Sequence, residues 1–290
     1  MKIKIILTLI VLILVSGCSQ VAVTPGEVDN LGNLITADFL YSVDIGDVEG
    51  AFTVHKFGGN DAIGTSITPI SFSGFYRTPT VAQSLEVLSD SGLDTALGTG
   101  GRRITVIGLN NTGYEVQENV TLNGVTPVQL ANQYLRVYRW YVIDSGSYAT
   151  QTIGSHAGTI TIRGTGAGDV WSTLALDSGF GVGQSQIGSY TVPKGYSCYL
   201  LNKIMSVDST KTATLYFFKR ENILDTTAPY SAMRMVEKHI GVNGVVSIMS
   251  ESPIAKFPEL TDIGFMGKVA VTSAAISVEF ELLCLDNTLY

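Results

Sequence analysis

Residues 94–110, DTALGTGGRRITVIGLN, decide between two kinds of fold for this chain. Glycines followed by arginines are typical of phosphate-binding loops, and Gly98 and Gly100 fit the start of a dinucleotide-binding Gly-x-Gly-x-x-Gly motif. Arg103 stands where the third glycine is needed, and the motif must open a helix. The next residues, ITVIGL, are instead rich in β-branched side chains, which favour a strand. The stretch therefore predicts a flexible turn that leads into a strand.

Short strand-like pieces of this kind recur along the chain. They alternate apolar and polar residues and end in Gly, Asn, Asp or Pro, which form turns. Seven of them lie within residues 49–165, and the pattern resumes after a glycine-rich passage at 164–168, which is either a domain boundary or a long loop between sheets. The best helical candidate, 127–134, is predicted to be a turn or a single helical turn.

This pattern predicts an all-β protein built of tandem antiparallel β-sandwiches of jelly-roll type. We assign the first sandwich to residues 49–165 and the second to residues 166–290. The 290-residue chain is 45% hydrophobic and only 15% charged, which is enough apolar material for such cores. Its formal net charge is −7. Nucleic acid is therefore not expected as a partner, because binding to it relies on clustered Lys and Arg that neutralise phosphates.

The N-terminus, MKIKIILTLIVLILVSGCSQ, has the layout of an export signal: a basic start, an apolar run and then small residues. The apolar run is shorter than the roughly 20 residues that cross a bilayer. VSGC resembles the lipobox of bacterial lipoproteins, in which the cysteine is acylated, so Cys18 is the candidate lipidation site. We interpret residues 1–18 as a lipoprotein signal or a retained membrane anchor, a chance start being the third reading, and 19–48 as an N-terminal arm.

Two further cysteines, Cys198 and Cys284, leave two interpretations open. They either form one disulfide in an oxidising compartment or remain free. Their apolar contexts, YSCYLL and FELLCL, favour buried free thiols.

Metal and cofactor chemistry has no local signal. The three histidines, His55, His156 and His239, lie far apart, without the spacing of a zinc motif. We therefore predict no metal and no cofactor, and we expect His55 to make a hydrogen bond that anchors a turn.

Catalytic signatures are equally weak. The stretch GQSQIG at 183–188 has one residue too many for a Gly-x-Ser-x-Gly nucleophile elbow. A pair of carboxylates for glycoside hydrolysis can be assembled from distant strands, with Glu115, Glu118, Asp144 and Asp169 as candidates. We favour solvated strand ends and turn caps for these four. Strand alternation also aims one of Arg102 and Arg103 along an apolar face, where it either caps the sheet edge or pairs with a carboxylate, with Glu115 and Glu118 as candidate partners.

Five motifs carry a family resemblance: HKFG at 55–58, DTALGTG at 94–100, GLN at 108–110, ENVTLNG at 118–124 and RVYR at 136–139. With them, residues 52–165 resemble a group of virion structural proteins of marine bacteriophages, and residues 190–201 do so more faintly. The lipobox-like leader is a departure from that group. We assign structural or turn roles to six residues: His55, Asp94, Gly98, Gly100, Arg103 and Glu118.

The aromatic strand YLRVYRWYVI supplies the candidates for contacts between subunits. Tyr134, Arg136, Tyr138 and Trp140 are residue types that suit packed interfaces, and in a two-sided sandwich they also suit the core. Both interpretations stay open at this stage.

The resemblance implies a non-enzymatic virion structural protein that forms or decorates a phage capsid or tail by homo-oligomeric packing of β surfaces. Its partners would be itself, other virion proteins and, through the N-terminus, a membrane. The alternative is a membrane-anchored lipoprotein of the bacterial outer membrane or cell surface that binds carbohydrate or protein. A secreted polysaccharide hydrolase is the third candidate.

Overall fold

The computed structural model of the protein describes residues 39–147, 154–250 and 252–290. These residues contain one helix, α1 (Phe39–Asp44). The strands of the first part are β1 (Ala51–Ile63), β2 (Thr68–Pro69), β3 (Gln83–Ser89), β4 (Gly101–Leu109), β5 (Glu115–Thr121), β6 (Val128–Tyr134), β7 (Arg136–Ser145), β8 (Ile160–Gly164), β9 (Val170–Leu174), β10 (Leu176–Asp177) and β11 (Phe180–Gly181). The remaining strands are β12 (Ser189–Thr191), β13 (Tyr196–Val207), β14 (Ala213–Arg220), β15 (Arg234–Val242), β16 (Gly244–Met249), β17 (Ala255–Phe257), β18 (Asp262–Val269) and β19 (Ala274–Asp286).

The prediction of an all-β protein is confirmed, and these strands pair in antiparallel fashion. The prediction of a turn or helical turn at 127–134 is wrong, because this segment forms β6 and pairs with β3. Its alternating apolar residues reach the core only if the segment is a strand. This period-2 pattern covers too few residues to be recognised from the local sequence. The chain divides into a small unit that ends at Thr53 and a large unit, Val54–Tyr290, which contains the sheets except for the first three residues of β1.

Two sheets of the large unit have the strand order of a jelly roll. One runs β1-β19-β13-β16, with β17 also on β13, and the other runs β12-β18-β14-β15, with β2 also on β18. The early strand β1 therefore lies beside the last strand, which is how two Greek keys close on each other. Aromatic rings from both sheets meet between them, for example Phe217 and Phe280 at 6.1 Å and Phe265 and Phe280 at 6.1 Å. We call these two the jelly-roll sheets.

A second pair of sheets, the inserted sheets, lies between β2 and β12 in sequence. Their orders are β6-β3-β8-β9 and β5-β4-β7, and they share a core that includes Val87, Val106, Trp140 and Trp171. The chain leaves and re-enters the jelly-roll sheets at adjacent points, because the amide of Phe72 donates to the Gln186 carbonyl at 3.0 Å.

Sheet membership follows a different division from the predicted bounds of 49–165 and 166–290. Strands β1 and β2 pair with β19 and β18, and β9 pairs with β8 across residue 165. The physical reason is that jelly-roll closure joins strands far apart in sequence, which local patterns do not reveal. The division of the chain into two independent domains at residue 165 stays a prediction.

The preference for free thiols at Cys198 and Cys284 is wrong. The two cysteines stand directly opposite each other on β13 and β19 and form a disulfide, with their Cα atoms 4.0 Å apart. Strand pairing, which the sequence alone does not show, brings them together.

Candidate functional site

The turn of residues 94–100 is built around a buried carboxylate. Asp94 Oδ1 accepts hydrogen bonds from the amides of Gly101 at 2.7 Å and Ala157 at 2.8 Å. Its Oδ2 accepts from the Ser89 hydroxyl at 2.6 Å and the Gly158 amide at 2.9 Å. Four donors therefore hold Asp94 in the interior and tie three chain segments together.

The glycines of this turn allow close backbone approach. A Cβ atom at Gly98 would lie 2.0 Å from the Leu93 carbonyl oxygen, and one at Gly100 would lie 2.1 Å from Asp94 Oδ1. The segment is a turn followed by β4, and the residues of the turn bind each other. Its glycines therefore serve close packing within the chain.

The two arginines after the turn find partners other than Glu115 and Glu118. The guanidinium of Arg103 pairs with Asp144 on the neighbouring strand β7, at 2.6 Å, and Arg102 donates to the Gly98 carbonyl at 3.0 Å. The hydrogen bond from Arg103 to Asp144 raises the pKa of Arg103. The expected partners were wrong because β4 has a neighbour on each side, and the register with β7 places Asp144 directly opposite Arg103.

Glu118 is a structural carboxylate within the inserted sheets. Its oxygens accept from the amides of Ala131 at 2.7 Å and Asn132 at 3.0 Å, and from the Tyr134 hydroxyl at 2.8 Å. Burial, followed by the Glu118 charge, raises the pKa of Tyr134.

The other carboxylates considered for hydrolysis also have partners within the chain. Glu115 accepts a hydrogen bond from the Tyr138 hydroxyl, and Asp169 lies 3.4 Å from Arg77. With Asp144 bound to Arg103, each of the four candidate carboxylates has a partner within the chain, and Asp169 remains 79% exposed at the surface.

The four interface candidates on and beside β7 lie in the interior. Tyr134, Arg136, Tyr138 and Trp140 are all buried, and the Trp140 indole donates to the Ser172 hydroxyl at 2.9 Å. They expose almost no surface for another subunit, so a contact between subunits requires other residues. Closure of the second sheet over β7 explains the difference, since a strand alone does not show which of its faces is covered.

Arg136 instead joins the inserted sheets to the jelly-roll sheets. Its guanidinium makes two parallel hydrogen bonds to Asp262 at the start of β18, at 2.9 and 2.8 Å, and both side chains are fully buried. Asp262 also accepts from the Thr191 hydroxyl of β12 at 2.5 Å. Burial lowers the pKa of Arg136, and the Asp262 carboxylate outweighs burial and raises it overall. This is a bidentate ion pair shielded from solvent.

A buried lysine contacts the inserted sheets from the jelly-roll side. The amino group of Lys56, on β1, donates to the backbone carbonyl of Tyr138 and lies 5.8 Å from the centre of that ring. Burial, followed by the charge of Arg139, lowers the pKa of Lys56 well below its usual value. Sequence reasoning missed both Lys56 and Asp262. For Lys56, the only signal in the sequence was its position between short apolar runs. No sequence pattern pointed to Asp262.

His55 does not anchor a turn. It lies within β1, more than half exposed, with Nε2 3.6 Å from Glu279 on the adjacent strand β19. The prediction was wrong because the HKFGG segment continues as strand through both glycines.

A groove with a volume of about 620 Å³ is a candidate ligand site, and it lies against strands β1, β13, β16 and β19 of one jelly-roll sheet. Its lining combines two aromatic rings, three carboxylates and an amide: Phe57, Phe72, Asp61, Asp177, Asp208 and Gln186. Among the described residues, no Lys, Arg or His lines it. Hydrogen bonds from the Thr210 amide and hydroxyl lower the pKa of Asp208, which keeps this carboxylate ionised at neutral pH. The groove repels anions and offers acceptors for hydroxyl groups.

The described residues show neither a cluster suited to a metal ion nor a helix suited to crossing a membrane. Within residues 39–147, 154–250 and 252–290, no group of three or more His, Cys, Asp or Glu side chains is arranged to hold a metal ion. No helix in the same ranges is both long and apolar enough to cross a membrane. The candidate lipidation site, Cys18, and the predicted signal at 1–18 lie outside the described residues.

Comparison with known proteins gives only distant similarities. No family model and no curated protein matches the chain. A solved structure of infectious bursal disease virus, Gx strain, is 10% identical, with 83% of this chain and 72% of that chain covered and a TM-score of 0.22. The PBSX exported protein XepA is 10% identical over 79% and 86%, with a TM-score of 0.18. An isomalto-dextranase of Arthrobacter globiformis T6 is 15% identical over 81% and 35%, with a TM-score of 0.20. Such low TM-scores carry no argument about function.

Proposed function

We propose that the protein is a non-enzymatic virion structural protein that forms or decorates a phage capsid or tail as a homo-oligomer. The observation that carries the proposal is the strand order of the jelly-roll sheets, with a second pair of sheets inserted between β2 and β12. Jelly rolls are a common architecture of capsid and lectin domains. The resemblance of residues 52–165 to virion proteins of marine bacteriophages supports the same role.

The contacts between the inserted sheets and the jelly-roll sheets suit a subunit that must keep its shape within an assembly. The Arg136–Asp262 pair and Lys56 tie the inserted sheets to the jelly-roll sheets through buried, directional bonds. The disulfide Cys198–Cys284 adds a covalent link between two jelly-roll strands. Such a molecule changes little on assembly, which favours repeated identical contacts.

We further propose that the protein acts in the virion, with itself and other virion proteins as partners and without nucleic acid. The net charge of −7 supports the exclusion of nucleic acid. The lipobox-like leader would connect the N-terminus, through Cys18, to a host membrane or to a lipid layer in the particle.

The test is mass spectrometry on two preparations from one infected culture: gradient-purified particles and cell membranes. We expect the protein at high copy in the particles, and its intact mass there reports whether Cys18 is acylated. Recovery from membranes alone would overturn the virion role.

The groove favours a second candidate, a surface lipoprotein that binds carbohydrate. Aromatic rings pack on the apolar faces of sugars, and carboxylates accept hydrogen bonds from hydroxyl groups; Phe72 and Asp177 provide one of each. Calorimetry with neutral oligosaccharides tests it. Phe72→Ala should abolish any binding, whereas Phe75→Ala, an exposed ring outside the groove, should not. Absence of binding to the wild-type protein would remove this candidate.

A further inference from the structure

Strand β16 leaves one edge of a jelly-roll sheet unpaired. It pairs with β13 on one side, and no described strand lies on the other. Its sequence is GVVSIM, without charge or proline, and its pairing with β13 has no register shift. Val245 and Met249 are 69% and 75% exposed. A flat, apolar, uncharged edge of this kind invites pairing with another strand.

By contrast, strand β15, at the edge of the facing jelly-roll sheet, is protected against pairing with another strand. Strand β15 carries Arg234 and Lys238, and its pairing with β14 shifts register twice, near each end. Charged side chains and bulges are the usual means of preventing contact between sheet edges. Of these two edges, only that of β16 is therefore open to a further strand.

The occupant that fits this edge is a second copy of β16. When two such strands run antiparallel about a two-fold axis at Ser247, Val245 faces Met249 and Val246 faces Ile248, each pair twice. Residues directly opposite in an antiparallel pair lie on the same face, and this register keeps every apolar side chain beside another. It also brings no charged side chains of the two strands together, although each chain carries a net charge of −7.

We propose that two copies of the chain associate through β16, antiparallel and centred on Ser247, so that the β1-β19-β13-β16 sheet continues across the two-fold axis. The contact is isologous, since the same strand serves both partners. It deepens the proposed assembly role by naming a subunit contact, and it rests on that role only for its biological purpose.

Cross-linking tests the register in the full-length chain carrying Cys18→Ser, with the Cys198–Cys284 disulfide intact. Ser247→Cys places one cysteine on the axis opposite its own copy, where Cα atoms in a strand pair lie about 4.5–5.5 Å apart. Mild oxidation should give a covalent dimer on a non-reducing gel. The matched control is Val245→Cys, on the same exposed face. Its two copies would lie roughly 13 Å apart, four residues out of register, which is too far for a disulfide.

Sedimentation gives the second measurement. The wild-type protein should sediment as a dimer, and Val245→Asp and Met249→Asp should shift it to monomer. Val271→Asp, a change at an equally exposed valine outside β16, should leave the dimer intact.

A wild-type monomer at all concentrations would overturn the β16 contact, and so would equal cross-linking by Ser247→Cys and Val245→Cys. Neither result depends on the particle experiment. Absence from particles with a register-specific dimer would overturn the virion role alone.

Discussion

At the scale of single residues, two carboxylates, the buried Asp94 and the partly buried Glu118, each hold several backbone groups in place. Asp94 receives four hydrogen bonds and Glu118 receives three, from donors that come from more than one chain segment. A buried donor that loses its acceptor costs free energy, because water cannot replace the lost bond. These side chains therefore matter for stability.

Replacement of Asp94 by Ala should lower the free energy of unfolding by about 3 kcal/mol or more, since four donors, three of them in buried hydrogen bonds, lose their acceptor. Urea denaturation measures it. Asp90→Ala is the matched control: Asp90 is a neighbouring exposed carboxylate that accepts a hydrogen bond from the Thr159 amide at 2.8 Å, so its loss should cost about 1 kcal/mol. A smaller loss for Asp94→Ala than for Asp90→Ala would contradict the structural role of this turn.

Glu221 gives a prediction that depends on pH. A hydrogen bond from Lys219, at 2.9 Å, is the largest cause that lowers the pKa of Glu221, and Arg234 at 2.7 Å adds to it. A carboxyl whose pKa is lower in the folded state adds stability above its unfolded pKa, and this stability disappears as the pH falls through the folded value.

At pH 7, Glu221→Gln should therefore melt at a lower temperature than the wild-type protein. The loss in free energy of unfolding should be less than about 1 kcal/mol, because the site is partly exposed. The two proteins should converge as the pH falls below the pKa of Glu221 in the folded state. Thermal melts across this range measure the difference, with Asp61→Asn as an exposed carboxylate outside the cluster. A gap that persists at low pH would show that the effect of Glu221 is not ionic.

At the scale of elements, the pairing of β13 with β19 joins residues far apart in sequence. Cys198 and Cys284 are 86 residues apart and stand opposite each other in this pair. Both cysteines lie in apolar strands, so their local context was the same as that of two buried free thiols.

Simultaneous replacement of Cys198 and Cys284 by Ser should lower the free energy of unfolding by about 2–5 kcal/mol, the usual range for a native disulfide. Denaturation of the wild-type protein with a reducing agent should reproduce this loss. Thiol titration of the unreduced, unfolded chain is the control, and it should detect neither cysteine. Detection of both would restore the free-thiol interpretation.

At the scale of the whole molecule, the inserted sheets and the jelly-roll sheets share buried polar contacts. Arg136 and Asp262 come from different sheet pairs and neither side chain reaches solvent. A buried ion pair contributes little net stability as a pair, but removal of one member leaves an uncompensated charge.

Arg136→Met should therefore lower the free energy of unfolding by about 3–5 kcal/mol, whereas the double variant Arg136→Met/Asp262→Leu should recover much of that loss. Scanning calorimetry and urea denaturation measure both. The wild-type protein should unfold in one transition, because the two sheet pairs are linked. A double variant as unstable as Arg136→Met would mean that the side chains act independently.

Local patterns were sufficient for the class of fold. Alternating apolar residues, β-branched runs and turn formers identify strands such as β4, because these preferences act over a few neighbouring residues. The same reasoning distinguished the turn at Gly98 and Gly100 from a nucleotide-binding loop, since the segment after the glycines is a strand.

Tertiary structure alone decided which strands meet. Closure of the jelly roll placed β1 beside β19, joined Cys198 to Cys284, and buried Arg136 against Asp262, 126 residues away. Packing of the inserted sheets on each other covered Trp140 on β7, and no described strand pairs with the outer edge of β16. The physical reason is that a strand's own sequence sets its period and hence which residues share a face, whereas burial and pairing depend on surfaces supplied by distant segments.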